Sequence, residues 1–195
     1  MYHKYHTKGI VLTSYTYRSQ DKIISIFTQD FGILKVKAQG VRNINSKLRF
    51  ASQDFTVGSF SLVQGRAGWR LVSARSEKNL FEIFKDSDLK LKTVANILSL
   101  IRKLSGEEEK QEFLFEVLND FFNFLIDCDE KEVVLVECLV LLRVLHILGY
   151  LREDPDLLVK NSTNFMVNEN LVFVAAQKTK IISLINESLK AASLT

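Results

Sequence analysis

The sequence predicts an α+β protein, with a five-stranded β-barrel domain over residues 1–78 followed by a mostly helical domain over residues 79–195. A change in apolar periodicity predicts this class, and a change in charge accompanies it. Apolar residues before Asn79 come in short runs rich in β-branched and aromatic types, whereas later ones recur at helical spacing. The charge also changes sign, since residues 1–80 hold 13 Lys or Arg against four acids and residues 81–195 hold 13 against 19. Such asymmetry favours a polyanionic partner for the first part.

Five segments of the first part are predicted to be strands, because each is a short apolar run bounded by turn-forming residues. They are residues 7–13, 23–28, 32–38, 55–63 and 69–75. A five-stranded barrel with a long loop after the third strand fits the oligonucleotide-binding (OB) architecture, although the pattern alone fits other small barrels as well. Alternation in the third strand predicts that Lys35 and Lys37 face outward while Leu34 and Val36 face the core.

Helical spacing predicts helices over residues 88–104, 112–126, about 130–148 and 181–190. The third is apolar nearly all round, so it should lie centrally and end at Gly149, and His146 should be in the core. The acidic run Glu107–Glu109 suits the N-terminus of the second helix. Residues 164–174 are predicted to form a small hairpin around Asn168–Asn170.

Several functional classes lack support in the sequence. There is no G-x-x-x-x-G-K-[ST] or G-x-G-x-x-G motif, so no nucleotide cofactor is expected. No nucleophile–base pair or metal-ligand cluster can be drawn, so we expect neither catalysis nor a metal. Cys128 and Cys138 are too few for a disulfide framework, which favours a reduced, cytoplasmic setting. The run 133–151 is interrupted by charged residues, which indicates a buried helix and not a membrane span.

The positive signal is basic. Residues 31–53 contain five cations and no acid. Together with the next turn and strand, this region holds the candidate DNA-binding residues, which are Lys35, Lys37, Arg42, Lys47, Arg49, Arg66 and Arg70. Arg70 and Arg75 are expected on opposite faces of one strand, because their separation is odd. Candidate base-stacking residues are Tyr15, Tyr17 and Trp69, with Phe50 as a further platform.

Two segments carry a resemblance to a known family. In the first, D-K-I-I-S-I-F-T is followed by F-G-I-L-K-V-K-A-Q-G-V-R-N-I-N-S-K-L-R, over residues 21–49. The second is L-L-R-V-L-H-I-L-G-Y, over residues 141–150. The order and spacing of Thr28, Gly32, Ala38, Gly40, Arg42, Ser46 and Lys47 resemble the N-terminal domain of the RecO family of recombination mediators. Many members carry four zinc-binding cysteines after the second segment; this chain has none there, so no zinc is expected, and Leu157, Leu158, Phe165, Val167, Leu171 and Phe173 should pack that segment instead.

The resemblance implies a non-enzymatic mediator of DNA repair at the bacterial nucleoid. Such a protein binds single- and double-stranded DNA, anneals complementary strands, and acts with RecR to help RecA load onto DNA covered by single-strand-binding protein. The acidic tail of single-strand-binding protein would dock on the helical domain, where the candidate residues are Arg102, Lys103 and Arg143. A non-enzymatic OB-fold adaptor that binds protein or RNA remains the alternative, and a weak metal-dependent nuclease is the enzymatic one.

Overall fold

A computed structural model describes residues 3–151, 166 and 168–193 of the chain. Its contacts divide the protein into two compact units. The barrel unit comprises Met1–Asp86 and Ser105–Phe115, and the helical unit comprises Ser87–Leu104 and Glu116–Thr195. A domain boundary after residue 78 stays a prediction, since the barrel unit also takes in a later segment of the chain.

Five strands form the closed barrel that the sequence predicted, in the order β1-β2-β3-β5-β4. Their bounds are β1 Lys4–Thr16, β2 Lys22–Thr28, β3 Gly32–Ala38, β4 Thr56–Gly65 and β5 Gly68–Asn79. β1 pairs with both β2 and β4 in antiparallel fashion, and a short parallel pairing of β3 with β5 closes the barrel. A five-residue helix, α1 (Leu80–Phe84), follows β5, and the Asn79 side chain accepts hydrogen bonds from its first amides.

Period-2 alternation produces the barrel core. Ile24 and Ile26 of β2 and Leu34 and Val36 of β3 are fully buried, while the residues between them face outward or are partly exposed. The β2–β3 turn needs glycine at residue 32, because its φ is +65° and a Cβ there would overlap the backbone oxygen of Glu109.

One bulge changes which side chains share a face of β5. Ser61 pairs with Ser73, but the next residue, Leu62, pairs with Leu71, so β5 carries one extra residue at that point. The extra residue resets the alternation, and Arg70 and Arg75 are both exposed. The expectation that these two arginines lie on opposite faces was wrong for this reason.

The four helices predicted for the second part are present close to their expected positions, and a further helix near residue 170 was not predicted. Their bounds are α2 Asp88–Leu104, α3 Glu112–Asp127, α4 Val133–Ile147, α5 Asn168–Ala176 and α6 Lys178–Ser193. Within the helical unit α4 packs against α2, α5 and α6, which confirms its central position. Gly149, with φ of +77°, follows the end of α4 as predicted. His146, expected in the core, is exposed at the last turn of α4.

The predicted hairpin over residues 164–174 was wrong where it can be judged, because α5 begins at Asn168. The physical reason is spacing. Leu171 and Val174 are both buried, whereas Val172 between them is exposed, and buried residues three apart mark one face of a helix. Of the residues expected to pack this segment, Leu171 is buried, and Phe173 is partly buried. The other four, Leu157, Leu158, Phe165 and Val167, lie outside the described residues.

Candidate nucleic-acid interface

The outer face of β3 carries two lysines, as predicted, but both lie near carboxylates. Lys35 is exposed and forms an ion pair with Glu107. Lys37 is partly exposed, and its Nζ lies 3.7 Å from Oδ2 of Asp21. The hydrogen bond from Lys35 to Glu107, reinforced by the attraction between their charges, raises the pKa of Lys35 above its ordinary value. Lys35 is therefore already partnered by an anion within the barrel unit.

Glu107 reaches Lys35 because Glu107 and Glu108 lie beside the start of β3. Ile33 and Glu107 form a parallel β-bridge, and the amide of Glu108 donates to the carbonyl of Ile33 over 3.1 Å. The carboxylate of Glu108 accepts a hydrogen bond of 3.1 Å from Nε1 of Trp69. The acidic run was expected to start the second helix, but that helix begins only at Glu112. Two carboxylates of the acidic run, those of Glu107 and Glu108, instead contact Lys35 and Trp69 of the barrel.

Residues 39–55, which we call the connecting loop, leave β3 and return to β4. Val41 and Ala51 are buried, and Leu48 packs against the barrel core. Gly40 has φ of +61°, and its amide donates to Oδ1 of Asp21 over 2.9 Å. Successive turn hydrogen bonds from Asn43 to Gly40, from Ser46 to Asn43 and from Arg49 to Ser46 order the backbone. The loop is thus attached to the barrel by its apolar residues and presents its polar side outward.

Three cations of the connecting loop are exposed. Nη1 of Arg42 donates to the carbonyl of Ser19 over 2.9 Å, which orients the guanidinium without neutralising its charge. Lys47 and Arg49 form no ion pair with any residue that the structure describes. Unlike Lys35, these side chains keep their full charge available to a ligand.

A second group of cations lines a groove at the β4–β5 hairpin. Lys37 and Arg70 are register partners on β3 and β5, so they lie side by side on the outer face. With Arg66 of the hairpin turn they border a groove of about 310 Å³. Across the described ranges, neither Arg66 nor Arg70 has a carboxylate partner. The groove therefore offers cationic donors at a concave surface.

The aromatic candidates separate into two kinds. Tyr15 and Tyr17 are 57% and 48% exposed, and the Tyr17 ring has both Lys37 Nζ and Arg18 Cζ at 5.3 Å from its centroid. Trp69 is only 8% exposed, and its ring packs against Tyr5 and Phe31. The prediction of Trp69 as a stacking platform was wrong, because this ring is part of the barrel core.

The candidates for docking a partner's tail also differ in exposure. Arg102 and Lys103 are exposed in the last turn of α2. Arg143 is buried among the apolar residues of α4, and burial lowers the pKa of its guanidinium from the ordinary value. The expectation that Arg143 lines a surface groove was therefore wrong.

Sequence reasoning missed three features of this surface. It did not foresee that Glu107 reaches Lys35, because the two residues are 72 positions apart. It missed Ile44 in the connecting loop, which is 79% exposed. It also missed Arg18, whose position next to Tyr17 was visible in the sequence as the pair Tyr17-Arg18.

Over residues 3–151, 166 and 168–193, no cluster of three or more His, Cys, Asp or Glu side chains could hold a metal ion. In the same ranges no helix combines the length and the apolar character needed to cross a bilayer.

A closed five-stranded barrel of OB type, with a basic outer surface, defines the class of small barrels whose known members include binders of oligonucleotides. Residues 1–78 match the family described as "Recombination protein O N terminal". The resemblance to the RecO family that the motifs predicted is therefore confirmed for the N-terminal 78 residues of this chain.

Curated relatives agree with this assignment, and each carries the name DNA repair protein RecO. The protein from Halalkalibacterium halodurans is 25% identical over 134 residues, which is 69% of this chain and 52% of the relative. That from Nostoc sp. is 28% identical over 152 residues, covering 78% and 51% of the two chains. That from Listeria innocua is 30% identical over 124 residues, covering 63% and 47%. The chain thus spans about half the length of the curated relatives it matches.

Proposed function

We propose that this chain is a non-enzymatic DNA-binding protein of recombinational repair, which holds single- and double-stranded DNA through its phosphates. The observation that carries the proposal is the connecting loop, in which Lys47 and Arg49 are exposed and lack carboxylate partners among the described residues. The family relationship supports the same conclusion, because relatives of this chain are named as DNA repair proteins.

The mechanism is electrostatic. Cations that neutralise phosphates release condensed counterions. For single strands, the logarithm of the binding constant therefore falls with the logarithm of the salt concentration, with a slope of about −0.7 per phosphate contact. Five of the predicted DNA-binding cations are exposed and have no carboxylate partner in the described ranges: Arg42, Lys47, Arg49, Arg66 and Arg70. If all five contact phosphates, the slope is about −3.5. Lys35 is left out of this count because Glu107 competes for it.

Phosphate contacts carry no base information, so binding should depend little on sequence. By screening the charges of two strands, the same cations would also reduce the repulsion between complementary strands, which favours annealing. Tyr17, exposed beside Lys37 and Arg18, would supply a stacking surface for one base.

The finer role that we propose is that of a recombination mediator in the bacterial cytoplasm. The chain would act with RecR and help RecA load onto DNA covered by single-strand-binding protein. Arg102 and Lys103, exposed at the end of α2, would receive the acidic tail of single-strand-binding protein. No step of this role requires catalysis or a cofactor.

A binding titration tests the proposal. Fluorescence anisotropy with oligo-dT, a duplex of the same length and a folded RNA hairpin should be recorded at several salt concentrations. We expect salt-dependent binding to both DNAs, and annealing of complementary oligonucleotides at substoichiometric protein. Binding to the RNA hairpin alone would favour an RNA-binding adaptor, and the absence of binding to all three would favour a protein-binding adaptor. Cleavage that stops when metal is removed would indicate a nuclease.

A further inference from the structure

Two large apolar side chains of the connecting loop are exposed to solvent and are not part of the buried core. Ile44 is 79% exposed and Phe50 is 70% exposed, the highest values among the large apolar residues described in the barrel unit. The same loop buries Val41 and Ala51 almost completely. The loop is thus able to bury apolar residues, yet it presents these two to solvent.

The presentation is fixed by the loop's own hydrogen bonds. The turn around Ile44 is closed by the amide of Ser46, which donates to the carbonyl of Asn43 over 3.0 Å, and by the amide of Asn45, which donates to Oδ1 of Asn43 over 3.2 Å. The carbonyl of Phe50 accepts from the amide of Gln53 over 3.3 Å and from the hydroxyl of Thr56. Ile44 and Phe50 therefore lie on ordered turns, and binding a ligand there costs little ordering of the backbone.

The charges around these side chains select the kind of occupant. Arg42, Lys47 and Arg49 are interspersed with Ile44 and Phe50 along the loop, and no acid occurs from Phe31 to Gln53. A matching ligand must combine closely spaced negative charges with flat apolar surfaces between them. A single strand of nucleic acid has this pattern, because its phosphates alternate with bases whose faces can be unstacked. A duplex hides those faces.

We propose that Ile44 and Phe50 contact unstacked bases of a single strand while the neighbouring cations hold its phosphates. Phe50 stacks on a base, and Ile44 packs against or between bases as an apolar wedge. This inference rests on the proposed DNA-binding function and deepens it, since it assigns single-strand selectivity to two side chains. Base contact of this kind tolerates any sequence, because every base has a flat face.

The test compares the variant Ile44→Ser/Phe50→Ser with the wild-type chain and with Val172→Ser. Val172 is a suitable control, because it is equally exposed at 70% but lies in the helical unit. We expect the double variant to bind oligo-dT about tenfold or more weakly, with the salt slope unchanged, and to bind duplex DNA within about threefold of the wild type. Thermal unfolding of both variants should match the wild type, because neither change removes a buried group.

A second variant makes the contact visible. Phe50→Trp keeps a stacking ring and adds a reporter, and the natural Trp69 is buried and so contributes a nearly constant background. The fluorescence of the Phe50→Trp variant should be quenched strongly by oligo-dT and much less by duplex DNA.

The outcomes separate the two levels of the proposal. The inferred base contact is wrong if the double variant binds oligo-dT as tightly as the wild type, or if its affinities for oligo-dT and duplex fall equally. In either case the proposed salt-dependent DNA binding stands. If the wild type binds neither DNA, the proposed function itself fails. Ile44- and Phe50-dependent binding to phosphatidylserine vesicles, without binding to oligo-dT, would assign the loop to an anionic membrane surface and overturn the inference.

Discussion

The outer face of β3 and the connecting loop that follows it come from one acid-free stretch of sequence, yet their cations have different environments. On β3, Lys35 is paired with Glu107 and Lys37 lies near Asp21. In the connecting loop, Lys47 and Arg49 have no ion-pair partner among the residues described. The absence of acids nearby in sequence therefore does not predict a free charge, because a partner can come from a segment that follows much later in the chain.

The comparison also distinguishes two roles for aromatic side chains. Trp69 lies on β5, where its register partner on β3 is Val36. Its side chain is buried and donates a hydrogen bond to Glu108. Tyr17 and Phe50 are exposed beside cations. Burial and hydrogen bonding indicate a structural role for the first, while exposure next to positive charge is typical of residues that contact nucleic acid.

The largest expected effect is on stability, at Trp69. Trp69→Ala should lower the free energy of unfolding by about 3 kcal/mol or more, because it removes a large ring packed against Tyr5 and Phe31. Chemical denaturation measures this change. Tyr15→Ala, at an exposed aromatic, is the control and should stay within about 0.5 kcal/mol of the wild type. A Trp69→Ala variant that keeps its stability but loses DNA binding would contradict the structural role and support base stacking by Trp69.

The next effect is on binding, at the connecting loop. Lys47→Glu/Arg49→Glu should weaken the affinity for oligo-dT at least about tenfold at moderate salt, because two phosphate contacts become repulsive. Thermal stability should be nearly unchanged, since both side chains are exposed. Lys92→Glu/Lys180→Glu alters the net charge equally on exposed helical positions and is the matched control. An equal loss in the control would mean that only the overall charge matters.

Tyr17 should have a smaller effect that depends on strandedness. Tyr17→Ser should weaken single-strand binding by about fivefold, the equivalent of one lost base stack, and leave duplex binding within twofold. Anisotropy titrations with the two DNAs measure this difference. Phe81→Ser, at a similarly exposed aromatic on α1, is the control. If both Tyr17→Ser and the control bind as the wild type does, Tyr17 serves only to hold Lys37 and Arg18.

The smallest effect should come from releasing Lys35. Glu107→Gln removes the paired carboxylate, so the pKa of Lys35 should fall back toward its ordinary value and its ammonium should become available to phosphate. We expect two- to threefold tighter binding and a salt slope steeper by about 0.7. NMR titration of the lysine and anisotropy measure the two changes. Unchanged binding, with the pKa shift observed, would place Lys35 outside the DNA path.

Much of the fold was predictable from sequence because it depends on local alternation and spacing. The bounds of β3 and α2 were predicted to the residue, since each begins and ends at a clear change in pattern. The register of β5 was not, because a bulge resets alternation without a mark in the sequence. The hairpin expected near Asn168 was wrong for a related reason, since N-E-N suits both a turn and the start of a helix.

The cations of the candidate site could be predicted from the sequence. Which of them lack a carboxylate partner could not. The ion pair of Lys35 and the burial of Trp69 and Arg143 both depend on tertiary packing, which the composition of a segment does not contain. Exposure of Ile44 was equally hidden, because neighbouring apolar residues of the same loop are buried, whereas Phe50 was already a candidate platform. Family resemblance identified the loop, but the side chains available on it could be read only from the structure.

The salt dependence of oligo-dT binding tests the central claim most directly. Apparent affinities of the wild type and of Lys47→Glu/Arg49→Glu should be measured between about 50 and 300 mM monovalent salt. The account predicts a log–log slope of about −3.5 for the wild type and about −2 for the variant, because two phosphate contacts are lost. A shared slope for the two proteins, or a wild-type slope near zero, would contradict the assignment of the connecting loop to a phosphate backbone.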